Sequence, residues 1–427
     1  MCYLDTNDKI TCSGCEACAN ICPHKAICMI PDSEEFRYPK INIDLCTNCG
    51  LCRKVCPYNL SPQKYSGMNY TFGGHIKNQK VLSESTSGGA FSAIVDAWCD
   101  KNYVIFGAVS DGLNVYHDHI FDKKYLDKFR KSKYIQSNIG NAYTYVKKFL
   151  QDGKKVLFSG TPCQIAGLKS FLLNCDQANL LTVEVICEGV PTPLYLKSYN
   201  EYITAKYHSS VKSIDYRYKD FKSYFNHLIG RWDFQVMQLS LENNRKFKTD
   251  RWFNPFWSIW INHLMSRPSC YHCPYTTPER LADISLGDLW GVHLYCPELY
   301  NHNKGASLII CNSIKGKEAF LSTKDLFVGH ELNYETAIRY QGPLRKRITP
   351  NSDRALFIQD LKSMPYIALC KKMVYSAKSK IVMAKIYLGE SPKNIILEIN
   401  ERILSHSLKE IYYVLLKQQF KEFSSHI

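Results

Sequence analysis

The chain has 427 residues, enough for two or three domains beyond a small module. Its formal net charge of +15 favours anionic partners, but no helix-turn-helix, zinc-finger or RNA-recognition signature accompanies the charge, so nucleic-acid binding is not expected. There is no signal-peptide pattern and no apolar run long enough to span a membrane. The spacing of the 19 cysteines is typical of metal sites rather than disulfides, and we expect a cytoplasmic protein.

Two copies of one cysteine spacing lie near the start of the chain, from Cys12 to Pro23 and from Cys46 to Pro57. Each reads C-x2-C-x2-C-x3-C-P, the run of bacterial ferredoxins, in which the fourth cysteine ligates the cluster of the other run. Zinc sites usually use two C-x2-C pairs and fit this order less well. The spacing therefore predicts two 4Fe–4S clusters. Their ligands form a first set, Cys12, Cys15, Cys18 and Cys56, and a second set, Cys22, Cys46, Cys49 and Cys52.

After the cysteine runs, residues 61–74 are rich in Gly, Pro, Ser and Asn and are typical of a linker. Hydrophobic periodicity then predicts alternating elements. These are a helix after Ser87-Gly88-Gly89 ending near Trp98, strands over 104–109 and 115–121, a helix over 140–150, a strand over 155–159, a helix over 165–173 and a strand over 180–187. This order indicates an α/β layer that binds ligands near the carboxyl ends of its strands.

The second half of the chain is less regular. Residues 211–248 alternate aromatic and polar side chains and predict an antiparallel meander, followed by a helix over 256–265 and a last strand over 305–311. Beyond about residue 350 the pattern is helical, basic and apolar. That tail could dock a partner or a membrane surface, or it could cap the C-terminal domain.

Four more cysteines have a context that suggests ligation. Cys163 and Cys187 each follow a buried strand, and Cys270 and Cys273 form a C-x2-C pair after a proline. These four thiols, the third set, could hold a third cluster or a zinc ion, or they could be buried structural thiols. The remaining cysteines have no such context.

Two weaker features point to cofactor binding. The turn Ser87-Gly88-Gly89 at a helix start could hold a phosphate through backbone N–H groups. Asp288 either orients a cofactor group or is an ordinary turn residue. Neither a G-x-G-x-x-G motif after a strand nor a P-loop is present, so a dinucleotide-binding fold of that type is not supported. No catalytic residue can be assigned.

Several of these segments, in the same order, resemble one family, the coenzyme F420 hydrogenase/dehydrogenase beta subunits. The segments are 87–92, 156–168, 187–191, 270–273 and 287–291, and the resemblance covers roughly residues 10–325. It implies FAD and a 4Fe–4S cluster in the beta-subunit domain, with the third set as ligands. It also implies that Ser87, Gly88 and Gly89 lie near the flavin, together with a second loop containing Asn141. The family usually has Cys-His-Gly where this chain has Cys187-Glu188-Gly189, which keeps the ligand and removes the histidine.

The expected fold is a multidomain α+β or α/β protein. Its parts are a ferredoxin-type 2×(4Fe–4S) domain over 1–62, beta-subunit N-terminal and C-terminal domains over 63–148 and 149–330, and a helical basic tail over 331–427.

The expected function is that of an iron–sulfur flavoprotein oxidoreductase. It would couple one-electron transfer through 4Fe–4S clusters to FAD-mediated hydride transfer with coenzyme F420 or another organic substrate, because a flavin converts between one and two electrons. Two alternatives are a ferredoxin-like electron-transfer subunit without its own catalysis and a reductase of sugar or polysaccharide biosynthesis that does not use F420. Expected partners are a redox protein or ferredoxin, and a deazaflavin or other small molecule.

Overall fold

The computed structural model describes residues 1–67, 70–219, 236–250, 254–300 and 304–374. The strands are β1 Ile27–Pro31, β2 Arg37–Ile41, β3 Tyr70–Ile76, β4 Tyr103–Asp111, β5 Asn114–Ile120, β6 Lys155–Gly160, β7 Leu180–Val185, β8 Val211–Asp215, β9 Val236–Leu241, β10 Lys246–Asp250, β11 Ile284–Asp288, β12 Ser307–Cys311 and β13 Phe327–Leu332. The α-helices are α1 Tyr3–Thr6, α2 Ala17–Ile21, α3 Leu51–Lys54, α4 Pro57–Leu60, α5 Gln79–Ser83, α6 Ala90–Trp98, α7 Ala142–Gln151, α8 Pro162–Phe171, α9 Pro193–Tyr207, α10 Pro255–Ile261, α11 Val292–Tyr295, α12 Pro297–Tyr300, α13 Ile314–Leu321, α14 Tyr334–Arg339, α15 Gly342–Arg345, α16 Arg354–Ser363 and α17 Tyr366–Val374.

The N-terminal module is built from short elements around the cysteine loops. Strands β1 and β2 form an antiparallel pair in which Ile27 lies opposite Ile41. Tyr38 of β2 and Phe36, the residue before β2, are buried together with Val190 of the larger domain. The module therefore packs against the rest of the chain through its own small core.

An eight-stranded mixed sheet, in the order β13-β3-β12-β11-β7-β6-β4-β5, forms the centre of the larger domain. Strands β11, β7, β6 and β4 are parallel neighbours, and the outer strands are antiparallel. Alternate side chains of β6 enter different cores: Val156 and Phe158 pack with α7 and α8, whereas Leu157 packs with α6. This arrangement confirms a mixed α/β fold with a large sheet, and the carboxyl ends of the parallel strands meet at one edge.

Two strands depart from the expected pattern. Residues 70–74 were predicted to lie in a linker but belong to β3, which pairs with both β12 and β13. Its glycines permit close strand contact rather than a turn, since a Cβ added at Gly74 would lie 2.2 Å from the Val328 carbonyl oxygen. The edge strand β13 was not predicted, because its alternation is interrupted by Gly329 and His330.

The predicted tail divides into two parts. Phe357, Ile358 and Leu361 of α16 and Leu369 of α17 are buried in a core shared with Trp257 of α10. These two helices are therefore an integral part of a packed core. The prediction for residues 375–427, including membrane contact, lies outside the described residues. Within the described part of the chain, none of the helices has the length and apolar character needed to cross a bilayer.

Candidate metal centres and an adjoining cavity

The first set of cysteines converges on one buried cavity. Cys12, Cys15, Cys18 and Cys56 all line it. Cys12 follows a 3-10 turn, Cys15 and Cys18 come from the loop and first turn of α2, and Cys56 is the residue before α4. The fourth cysteine of the second run thus lies with the first three of the first run, as the spacing predicts. Cys2 also lines this cavity, although nothing in its sequence context indicated it.

The second set lines a separate cavity close to the surface. It contains Cys46, Cys49 and Cys52 with Cys22 of the first run, so the crossing is reciprocal. Cys49 is exposed, and the other three are partly exposed. The Ala26 N–H donates to the Cys22 sulfur at 3.3 Å, which is the kind of contact that stabilises a thiolate.

Both loops use the same backbone around their second cysteine. The residues before it, Gly14 and Asn48, have φ of 68° and 54°, and the residues after it, Glu16 and Gly50, have φ of 60° and 74°. The left-handed conformation is thus a property of the loop, and each run places its glycine on a different side. Gly14 is required for a second reason, since an added Cβ would lie 2.9 Å from the Arg267 guanidinium.

The third set comes from three separate segments but faces a single cavity. Cys163 lies in the first turn of α8, Cys187 follows β7, and Cys270 and Cys273 lie in and after a 3-10 turn over 268–272. The Gly189 N–H donates to the Cys187 sulfur at 3.3 Å. Strand–loop–helix geometry therefore brings together thiols that are 110 residues apart in sequence.

Burial disfavours free thiolates in the third set. It raises the pKa of Cys163 to about 11 and that of Cys270 to about 12, and it raises the pKa of Cys187 well above its ordinary value. Nearby thiols contribute to each shift in the same direction. These three thiols can be anionic together in one cavity only beside a strong positive charge, and a metal centre would supply one.

The sulfur atoms of the three sets are farther apart than those of a zinc site. A tetrahedral zinc site with Zn–S bonds of about 2.3 Å places its sulfurs about 3.8 Å apart. Among the residues that the structure describes, one group of three metal-type ligands lies within 4.8 Å, and it contains none of the twelve predicted cysteines. That group is Cys296, Glu298 and His330, whose contacts at 3.1 and 3.3 Å are a hydrogen bond and an ion pair. In none of the three cysteine sets do three sulfur atoms lie within 4.8 Å of one another.

A cavity of about 410 Å³ lies at the carboxyl ends of the parallel strands. Ser159 and Gly160 of β6, Val185 of β7 and Asp288 of β11 line it, together with the loop over 129–137. This volume is within the range of small-molecule and cofactor sites, and the position is where α/β sheets bind ligands.

Only some of the predicted flavin contacts line this cavity. Ser87, Gly89 and Asp288 line it, whereas Gly88 and Asn141 do not. The Gly88 N–H instead donates to the Ser307 hydroxyl at 2.9 Å. Asn141 is exposed at the start of α7, where the neighbouring Gly140 N–H donates to Glu16 of the cysteine module.

Polar groups on the wall are held by an internal network. Buried His117 contacts the Ser159 carbonyl through Nε2 and the Ser137 hydroxyl through Nδ1, both at 2.9 Å. Gln164 Nε2 donates to the same hydroxyl at 2.9 Å. Burial lowers the pKa of His117 to about 4, so the ring is neutral at physiological pH. This network fixes the loop that carries Ser137.

The cavities adjoin one another in a definite order. The large cavity and that of the third set share the wall formed by Gln136, Pro343 and residues 187–190. The third-set and first-set cavities share Ser13 and Tyr58. This adjacency could not be predicted from the sequence, since Tyr58 joins the first and third sets only through tertiary packing.

Comparison with known proteins identifies two parts of the chain. Residues 11–60 match the 4Fe-4S dicluster domain, and residues 153–326 match the C terminus of the coenzyme F420 hydrogenase/dehydrogenase beta subunit. The cysteine spacing, the sheet and these matches define an iron–sulfur, oxidoreductase-like protein. The predicted resemblance is confirmed, and the chain is related to the beta subunits of coenzyme F420 hydrogenases and dehydrogenases.

Curated relatives match only a small part of the chain. An uncharacterised polyferredoxin-like protein of Methanocaldococcus jannaschii is 44% identical over 54 residues, covering 11% of this chain and 32% of that protein. A hydrogenase-2 operon protein of Escherichia coli O157:H7 is 33% identical over 94 residues, covering 21% and 26%. Among solved structures, an F420-reducing [NiFe] hydrogenase complex from Methanosarcina barkeri aligns over 76% of this chain and 94% of that chain, with 15% identity and a TM-score of 0.40.

Proposed function

We propose that the protein is a flavin-dependent iron–sulfur oxidoreductase with three 4Fe–4S clusters and one FAD. The observation that carries the proposal is the wall shared by the large cavity and the third cysteine set, residues 187–190 with Gln136 and Pro343. An organic ligand in the large cavity would lie directly against a metal centre. Such contact is what exchange between one-electron and two-electron carriers requires.

Features of the cavity wall fit a flavin. Trp257, Trp260 and Trp290 provide aromatic surface. The loop over 130–137 adds Arg130 and Lys131, which pair with Glu84 and Asp215, and Lys133. Two buried polar atoms on this wall, Trp257 Nε1 and Asp288 Oδ1, have no hydrogen-bond partner among the described residues. Buried polar atoms are normally satisfied, so a bound ligand would account for both. FAD supplies hydride chemistry and can pass electrons singly.

Under this proposal, different residues would bind the clusters and the flavin. The three cysteine sets would hold the clusters, while Ser87, Gly89 and Asp288 would contact the flavin. For Gly88 and Asn141 the proposal is weaker, because neither lines the cavity. Buried apolar side chains beneath the cavity, such as Leu286 and Val183, would limit its access to water.

An anaerobic count of iron, sulfide and flavin tests the proposal. About twelve iron per chain with one FAD is expected from three four-iron clusters and one flavin. About eight iron without flavin would instead indicate a ferredoxin-like electron-transfer subunit. That second candidate is favoured by one observation, namely that the curated relatives match 54 and 94 residues and not the whole chain.

A substitution in the cavity makes the flavin test sharper. Trp257→Phe removes the unpartnered N–H and keeps an aromatic ring, so we expect flavin retention to fall severalfold while the iron count stays unchanged. Trp98→Phe is the matched control, since Trp98 packs against the core at α6 and does not line the cavity. Equal flavin content in both variants would argue against this site.

The substrate is proposed as coenzyme F420 or another organic hydride acceptor. Protein reduced with dithionite and freed of excess reductant should bleach added F420 if F420 is the substrate. An unchanged F420 spectrum with intact flavin content would favour a reductase acting on a different molecule, such as a sugar or glycan precursor.

The protein partner is proposed to be a small redox protein that meets the chain beside the second set. Cys49 is exposed there, and Lys54 and Arg53 lie at an adjoining open groove. An acidic surface would complement these cations and the formal charge of +15.

A further inference from the structure

Arg267 is a buried cation placed between two of the cysteine sets. Its side chain is among the largest that are fully buried, with 1% exposure. It begins the segment that carries Cys270, and its guanidinium reaches the loop of Cys12. Nε donates to the Cys12 carbonyl at 3.0 Å, and Nη2 lies 3.8 Å from the Cys12 sulfur.

The surroundings of the guanidinium form a fitted pocket. Nη1 donates to Gln136 Oε1 at 3.1 Å and Nη2 to the Arg37 carbonyl at 2.9 Å. The Tyr38 ring lies 4.4 Å and the Phe36 ring 5.4 Å from the guanidinium carbon, in cation–π contact. Gly14 leaves room for Nη1, as a Cβ there would approach within 2.9 Å. Three segments, residues 12–14, residues 36–38 and Gln136, therefore hold one charge in place.

No carboxylate pairs with this charge among the ion pairs of the described residues. Its Nη2 instead lies 3.8 Å from the Cys12 sulfur of the first set. Its partner Gln136 lines the cavity of the third set, and the Arg267 carbonyl accepts from the Cys270 N–H at 2.9 Å. An isolated buried cation is strongly unfavourable, so thiolates are its fitting counter-charges.

We propose that Arg267 is a tuning residue that raises the reduction potentials of the first and third clusters above the value each would have without it. The proposal rests on the cluster assignment of the proposed function. Reduction adds one negative charge to a cluster, and a fixed positive charge in a low-dielectric interior stabilises that added charge. None of the hydrogen bonds of Arg267 among the described residues reaches the second set, so we expect the smallest effect on its cluster.

Potentiometric titration of the holoprotein, followed by electron paramagnetic resonance, tests the inference. Arg267→Gln should make two of the three midpoint potentials more negative, each by at least a tenfold change in the reduction equilibrium, about 59 mV for one electron. Arg267→Lys keeps the charge and should shift them much less. Arg53→Gln is the control, since Arg53 is exposed and lies beside the second set; it should leave the same two potentials unchanged.

A second variant covers the case in which Arg267→Gln does not load its clusters. At present Gln136 Oε1 accepts from Arg267 Nη1 at 3.1 Å. Gln136→Glu places a carboxylate of the same size at this position and should lower the same two potentials. Unchanged potentials in Gln136→Glu, or equal shifts in Arg267→Lys and Arg267→Gln, would overturn the inference. A missing third cluster or missing flavin would refute the proposed function instead, and the first cluster alone would then report on Arg267.

Discussion

The first and second cysteine sets share one spacing and one loop conformation but have opposite surroundings. Cys15 of the first set is buried against α8, where an added Cβ at Gly167 would lie 3.0 Å from its own Cβ. Cys49, at the equivalent position of the second set, is exposed, and Gly50 beside it has no neighbour within 4 Å of an added Cβ. The spacing thus determines which cofactor is held, while the packing around it determines whether the site faces the interior or a partner.

Removing one ligand from each set should give the largest contrast. Cys15→Ser should lose the first cluster and also destabilise the large domain, because this loop packs into the α7–α8 core. Cys49→Ser should lose about four of twelve iron and leave the fold intact. Iron content and thermal unfolding measured together distinguish the two variants. Equal losses of stability would show that both sets are equally structural.

Filling the space beside the first set should have the next largest effect. Gly167→Ala would place a methyl group 2.9 Å from the Tyr143 hydroxyl and 3.1 Å from the Cys15 sulfur, and overpacking of this kind costs about 1–3 kcal/mol. Gly342→Ala is the control, since an added Cβ there has no neighbour within 4 Å. Chemical denaturation of both variants measures the difference, and a neutral Gly167→Ala would mean that the loop moves freely.

The interior should also respond to acid. Since the pKa of His117 is lowered to about 4 by burial, against 6.5 for an ordinary histidine, the unfolded chain binds a proton between these values and the native chain does not. The free energy of unfolding therefore decreases as pH falls. Between neutral pH and pH 5.5 this residue accounts for a decrease of about 1.4 kcal/mol. Thermal unfolding at pH 7.5 and 5.5 should show a smaller acid loss in His117→Gln than in the wild type. His24→Gln, an exposed histidine beside the second set, should show the wild-type loss.

The smallest effect is expected at the exposed face. Lys54→Glu should slow electron exchange with an acidic redox protein severalfold and weaken its salt dependence, because charges at the rim of an interface act mainly on association rates. Lys324→Glu, an exposed lysine on the loop before β13, is the matched control. Stopped-flow rates at two ionic strengths provide the measurement. Equal rates for the two variants would place docking elsewhere.

The sequence was sufficient where the chemistry is local. The membership of the first and second sets follows from a spacing that repeats within 46 residues, and the α/β alternation follows from hydrophobic periodicity. It was insufficient where folding brings distant groups together. Gly73 and Gly74 have the composition of a turn, but their function is close strand contact, which only the pairing of β3 reveals.

Residues that act through tertiary contacts were also missed. Arg267 stands 255 residues from Cys12, and its contact with that loop depends on how the N-terminal module packs against the larger domain. Trp257 was part of a predicted helix, but its unpartnered N–H at the cavity could not be inferred from helical periodicity. The expectation from the resemblance that Asn141 and Gly88 lie near the flavin stays a prediction, since neither residue lines the cavity.

The reciprocal exchange of Cys22 and Cys56 has a consequence for biogenesis. If the two sets hold clusters as proposed, each cluster takes one ligand from the other half of the cysteine module. A nascent chain that has emerged only as far as Cys22 would hold three thiols for one centre and one for the other. Under that assignment, both clusters would be completed only after the whole module has been synthesised, and loss of one cluster would free a thiol in the run that holds the other.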